Sequence, residues 1–264
     1  MADEEGPVRL DVDGAVALIT LARPTAGNAL DMAMARALAE IIARCDGDAA
    51  IRCVMMTGAG RFFCAGGDVA SFAAAGENRQ AFIAGLAEAA HDVIKALARL
   101  QKPFVTLVNG PAAGVGLSLA IAGDMVLAAR GAHFTAAYGG IGLTPDGGMS
   151  WRLPRLVGSL RAKEMILTNA RVSAERAVEI GLASRVVDDD ALMAQGRALA
   201  ATLSAVAARA WRDARALLEE GYACGLEAHL DREAASIAVA SVSPEGREGV
   251  AAFLDKRKPD FTQL

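Results

Sequence analysis

The chain has 264 residues, 53% of them apolar and only 5% aromatic, with a net charge of −4 and no basic block. It is long enough for a substantial core and too apolar for disorder, and its charge argues against nucleic acid as a partner. Cys45, Cys53, Cys64 and Cys224 form no CxxC pair and sit mostly in apolar segments, as reduced thiols of a cytoplasmic compartment do; Met1–Pro7 is acidic, unlike a secretory leader, and charge or glycine breaks every apolar run short of a membrane span.

Val8 to Val12 and Ala15 to Leu21 flank Asp13–Gly14, a hairpin signal. After the loop Arg23–Asn28 a helix is expected from about Ala29 to Cys45, with Asn28 as its cap. Cys53–Thr57 is a buried strand that runs into the glycine-rich loop Gly58–Asp68. A long helix follows at about Arg79–Leu100, then the apolar strand Phe104–Val108. Strands are expected at Met125–Ala129, His133–Ala136 and Ser184–Val187. Helices are expected at about Gly114–Ala122, Ser150–Leu156, Ser159–Leu167 and Ala174–Gly181, the last capped by Ser173. From Asp190 to Leu254 the pattern is helical. Alternating strands and helices imply an α/β core with parallel strands over residues 1–190, a spiral of similar turns, and a helical region over 191–264.

Two glycine-rich loops, Ala65–Asp68 and Asn109–Gly116, lie at the carboxyl ends of strands, where ligands of α/β sheets sit. Asn109–Gly110–Pro111 stops a strand, and a small-residue helix opens at Gly114. Free amides at that helix start favour an anion or a developing oxyanion. Gly114–Val115–Gly116 lacks the third glycine of a dinucleotide fingerprint, and there is no P-loop. Ser118, Asp146 and His229 follow the order of a hydrolase triad, but Ser118 falls a turn into the helix rather than at an elbow. His91, His133 and His229 are isolated, so no metal site is expected. Asp146 lies in an unusually apolar loop, Ile141–Gly148; it is either a turn aspartate or a carboxylate in a dry pocket with a raised pKa.

Several segments together resemble the crotonase (enoyl-CoA hydratase/isomerase) superfamily. They are Asn28–Ala29–Leu30 after Arg23–Pro24; Phe63–Asp68; Asn109–Gly110 with Ala112, Gly114 and Gly116; and Gly142, Pro145 and Gly147–Gly148. Leu153–Gly158, Ala174–Glu175 with Ala177, Gly181–Leu182, and the tail Glu248–Phe261 complete the set. The resemblance implies a crotonase-like ββα spiral core, a C-terminal helical trimerisation region, a homotrimer or homohexamer, and an acyl-CoA thioester substrate with no cofactor beyond the coenzyme A it carries. It also implies that the Gly67 and Val115 amides hold the thioester oxygen as an enolate forms. Ala26, Asn28, Ala65, Asp68, Val69, Ala70 and Gly114 would line the coenzyme A, mostly through backbone, and Val69 to Glu88 would be the lid of the acyl pocket.

The departures sharpen this. Hydratases of the family carry two glutamates, where this chain has Ser118 and Tyr138. Aspartate at position 146 resembles the isomerase branch, in particular epoxyphenylacetyl-CoA isomerases and Δ3,Δ2-enoyl-CoA isomerases, with Asp146 as acid/base and Tyr138 shaping the pocket. The spacing also resembles 4-chlorobenzoyl-CoA dehalogenases, in which a histidine at the position of His91 assists an attacking aspartate. An atypical hydratase and a non-catalytic acyl-CoA-binding scaffold are further readings.

Overall fold

The computed structural model describes residues 6–262 and 264; most of the acidic opening Met1–Pro7 lies outside the described residues. In chain order the elements are β1 (Val8–Asp13), β2 (Val16–Leu21), α1 (Met32–Gly47), β3 (Cys53–Gly58), α2 (Val69–Ala74), α3 (Arg79–Arg99), β4 (Phe104–Val108), β5 (Ala112–Ala113), α4 (Val115–Ala120), β6 (Met125–Ala129) and β7 (His133–Thr135). They continue with α5 (Met149–Val157), α6 (Ser159–Thr168), β8 (Val172–Ser173), α7 (Ala174–Glu179), β9 (Arg185–Val187), α8 (Leu192–Ser204), α9 (Ala208–Glu220), α10 (Leu226–Ser241) and α11 (Pro244–Leu254).

The main sheet has the order β1-β2-β3-β4-β6-β9. Only the β1–β2 hairpin is antiparallel; every later pair is parallel. Every residue of β3 and β4 is buried, as strands covered on both faces must be, which explains their apolar runs, interrupted only by Thr57 and Thr106. The helix α8 lies across β2, β3, β4 and β6. Arg52, just before β3, fastens the end of α8 by donating to the carbonyls of Ser204 (2.6 Å) and Val206 (2.8 Å). Beyond it, α9 and α10 bury none of their residues within this chain, and Leu218, Leu226 and Ile237 on them and Tyr222 between them are exposed.

A second small sheet, β5-β7-β8, joins β5 and β7 in parallel and β7 and β8 antiparallel. Two isolated bridges extend the pairing into the loops: Leu30 with Gly67, and Cys64 with Ala112. The first ties the loop after β3 to the segment before α1, and the second lays it alongside the chain that follows β4.

The first helix starts later than the sequence suggests. Asp31, not Asn28, caps α1, accepting from the Met34 amide at 2.8 Å. Asn28 is instead fully buried at φ +54°. Its Oδ1 accepts from the Arg23 amide (2.9 Å), and its Nδ2 donates to the carbonyls of Ala59 (2.9 Å) and Phe62 (2.7 Å). A polar side chain with three backbone partners inside the protein is worth more there than as a cap at the surface. Ser173 does cap α7, accepting from the Arg176 amide at 3.2 Å.

Candidate active site

The loops after β3 and β4 meet over one cavity of about 380 Å³. Asn109 anchors the turn behind it: Oδ1 accepts from the Gly58 amide (3.0 Å) and from Thr57 Oγ1 (3.2 Å), and Nδ2 donates to the Gly60 carbonyl at 3.0 Å. With Asn28 it brackets the stretch Gly58–Phe62 that leads to Gly67. On the other side α4 begins against the same loop. A Cβ on Gly116 would lie 2.2 Å from the Cys64 carbonyl oxygen, so only glycine admits this approach. Cys64 itself is fully buried, and burial pushes its thiol up to about 11.

Two amides reach the cavity. Gly67 follows the strand-like pair with Leu30, and Val115 is the first residue of α4, where no helical acceptor exists for its N–H. Among the described residues neither amide has a hydrogen-bond acceptor. Both residues line the cavity. Two unsatisfied N–H groups at one apolar opening suit an oxygen that gains negative charge.

Across the cavity stand Tyr138 and Asp146. Tyr138 is buried, just past β7, and its hydroxyl donates to Asp146 Oδ1 at 2.6 Å. That length is typical of a hydroxyl donating to an ionised oxygen. Burial first, then the Asp146 charge and this bond, push the phenol far above its ordinary pKa, so it stays protonated. Asp146 is half-buried and is the only carboxylate among the lining residues. Ser118, on α4, is 3% exposed and donates to the Asp146 backbone carbonyl at 3.4 Å. Gly147 and Gly148 follow with φ +58° and +73° and turn the chain into α5. The remaining wall is apolar except for Thr144. Ile83, Leu86, Ala87 and Ala90 present one face of α3 to the cavity, with Phe72 from α2 and Leu30 from the loop before α1.

Of the residues singled out in the sequence, Gly67, Val115, Tyr138, Asp146, Ala65, Val69 and Gly114 line the cavity. Ala26, Asn28, Asp68, Ala70 and His91 do not. Asp68 instead caps α2 and pairs with Arg23 at 3.0 Å. Desolvation raises its pKa, but the Arg23 and Ser71 hydrogen bonds outweigh that and hold the carboxyl below its ordinary value. His91 is half-buried on α3, one residue past the lining Ala90. The hydrolase triad does not assemble: Ser118 meets the backbone of Asp146, while His229 lies on α10 beside Cys224 (3.7 Å) and Glu233 (3.5 Å). Ile83, Leu86 and Ala87 fall within the lid expected over Val69–Glu88, and Ala90, at helical spacing from them, extends the lining two residues beyond it.

The sequence model of the enoyl-CoA hydratase/isomerase family matches residues 11–264. The chain belongs to that family. Its relatives include a protein of Rhodobacter capsulatus named "Probable enoyl-CoA hydratase", 38% identical over 97% of each chain. Another is the 1,2-epoxyphenylacetyl-CoA isomerase of Escherichia coli, 37% identical over 95% of this chain and 96% of the relative. The crystal structure of an enoyl-CoA hydratase from Polaromonas sp. JS666 superposes with a TM-score of 0.93 at 33% identity, covering 97% of this chain and 99% of the other. The hydratase/isomerase fold is thus shared over 97% of the chain, and the family is one of enzymes acting on acyl-CoA.

Proposed function

We propose that this family member is an isomerase that shifts a double bond or opens a strained ring in a CoA thioester. The single carboxylate of the cavity, Asp146, carries this reading. Adding water across a double bond requires both activation of the water and delivery of a proton. Moving a proton between two carbons needs one group that takes it and gives it back. In the proposed reaction the thioester oxygen sits between the Gly67 and Val115 amides. Asp146 removes a proton from the acyl chain, and the electron pair moves onto that oxygen. The resulting enolate is held by the two amides, and the neutral Asp146 returns the proton at the second carbon. One such donor is worth about 3 kcal/mol in the transition state. The apolar wall suits a hydrocarbon acyl group.

The coenzyme A would leave the cavity past Ala26 and Asp68–Ala70, while Asn28, fully buried, braces the loop behind them without facing the ligand. The exposed apolar faces of α9 and α10 support a homotrimer or homohexamer. The unpaired thiols, three of them buried, support a cytoplasmic setting. Among the described residues no helix is long and apolar enough to cross a membrane. The relative from Rhodobacter capsulatus favours a second reading, a hydratase with an atypical site.

Asp146→Asn tests the proposal. Turnover of a 3-enoyl thioester should fall at least about a thousandfold, while affinity for a non-reactive acyl-CoA stays within about threefold of wild type. Turnover that survives the substitution sinks the assignment.

A further inference from the structure

We infer that Tyr138 is a positioning residue for Asp146: its hydroxyl occupies Oδ1 and leaves Oδ2 as the oxygen that takes and returns the substrate proton. The inference rests on the reading of Asp146 as the proton carrier and specifies which of its atoms works.

The geometry is unusual for a loop carboxylate. Asp146 precedes two left-handed glycines, and its carbonyl accepts from the Met149 amide at 3.0 Å, which fixes the main chain but not the carboxylate. Two hydroxyls from different elements add to that hold. Tyr138 holds Oδ1 at 2.6 Å, and Ser118 holds the backbone carbonyl at 3.4 Å. Both hydroxyls come from buried residues, at 8% and 3% exposure. Among the described residues nothing donates to Oδ2. The phenol is itself unsuited to proton transfer, because burial and the neighbouring charge keep it protonated. It is a fixed donor.

The proton balance then closes on one atom. Oδ2 takes H⁺ from the first carbon as the C–H electron pair moves toward the thioester oxygen. Asp146 becomes neutral while the substrate becomes the enolate. The electron pair returns to form the C–H bond at the second carbon, and Oδ2 gives the proton back. Tyr138 remains bonded to Oδ1 throughout, and no co-reactant is consumed. Without the phenol the carboxylate turns about its χ angles, and the productive orientation becomes one of several.

Removing only the hydroxyl tests this. Tyr138→Phe should lower kcat by roughly 10- to 100-fold, the range for losing a hydrogen bond to a charged group, with KM within about threefold of wild type. Tyr138→Phe added to Asp146→Asn should cause no further loss, because the tyrosine acts through the aspartate. Spectroscopy gives a readout that does not depend on turnover or on the folding of the phenylalanine variant. The chain has two tyrosines, Tyr138 and Tyr222. With the tyrosine Cζ atoms labelled with carbon-13, Asp146→Asn should move the Tyr138 resonance and leave that of Tyr222, which is 69% exposed, in place. An unchanged kcat in Tyr138→Phe, or an unmoved Tyr138 resonance in Asp146→Asn, overturns the positioning role. If Asp146→Asn alone keeps wild-type turnover, the acid/base reading itself fails, an outcome distinct from failure of the tyrosine's role.

Discussion

Replacing Asn28 should loosen the active-site loop as a whole. The side chain is fully buried and satisfies three backbone groups: the Arg23 amide and the carbonyls of Ala59 and Phe62. In Asn28→Ala these lose their partner. The Phe62 carbonyl keeps only a long 3.4 Å bond from Asn109. Orphaned polar groups cost about 1–3 kcal/mol each, and the low end applies here because the partners are only part-buried. Three groups therefore give roughly 3 kcal/mol. Alanine at φ +54° adds about 1 kcal/mol of left-handed strain. Asn28→Ala should lose roughly 4 kcal/mol, and Asn28→Gly, which tolerates that φ, roughly 3 kcal/mol. Urea unfolding at one fixed protein concentration measures both. Under conditions where Asn28→Ala stays folded, kcat should also fall at least about tenfold, because the loop ends at the Gly67 donor. A loss below about 1 kcal/mol in Asn28→Ala refutes the strut. Equal losses in the alanine and glycine variants refute the strain contribution.

Two further outcomes follow from the same packing. Gly147→Ala combines φ +58° with a Cβ placed 3.0 Å from Ser118 Oγ and 3.1 Å from Val115 Cγ2. It should cost about 1–3 kcal/mol in thermal or urea unfolding and lower kcat by displacing the Val115 amide. The thiols of Cys45 and Cys64 are pushed up to about 11 and that of Cys53 to about 12, each by burial first. Native protein at pH 8 should therefore yield fast reaction with a disulfide reagent only at Cys224, the other three reacting at the rate of unfolding; rapid labelling of Cys64 would contradict the tight seat of α4 on its loop.

How legible these features were depended on how local their causes are. The parallel strands β3, β4 and β6 are nearly continuous apolar runs because both faces are covered, and such runs stand out in a sequence. The glycine-rich loops at strand ends were readable too, since glycine there has few other uses. The two-residue strands β5 and β8 carry no periodicity to detect. The short helix α2, within the expected lid, is alanine-rich and ambiguous. Asn28 stood where a cap would stand, and its actual role depends on a loop some thirty residues away. Tyr138 and Asp146 are eight residues apart with only a short turn and irregular chain between them, so no helix or strand periodicity links them. Only the path from β7 through its following turn to α5 brings the hydroxyl to the carboxylate. The resemblance marked both positions, but the bond between them is a tertiary fact.

The central claim is that this hydratase/isomerase family member moves protons within the acyl group and does not add water. Proton NMR of the products formed from a 3-enoyl-CoA and from a 2-enoyl-CoA by the same wild-type enzyme tests it most directly. The account predicts conversion of the 3-enoyl to the conjugated 2-enoyl thioester, and no 3-hydroxyacyl thioester from either substrate. Formation of 3-hydroxyacyl-CoA from the 2-enoyl substrate at a rate matching or exceeding isomerisation would contradict it.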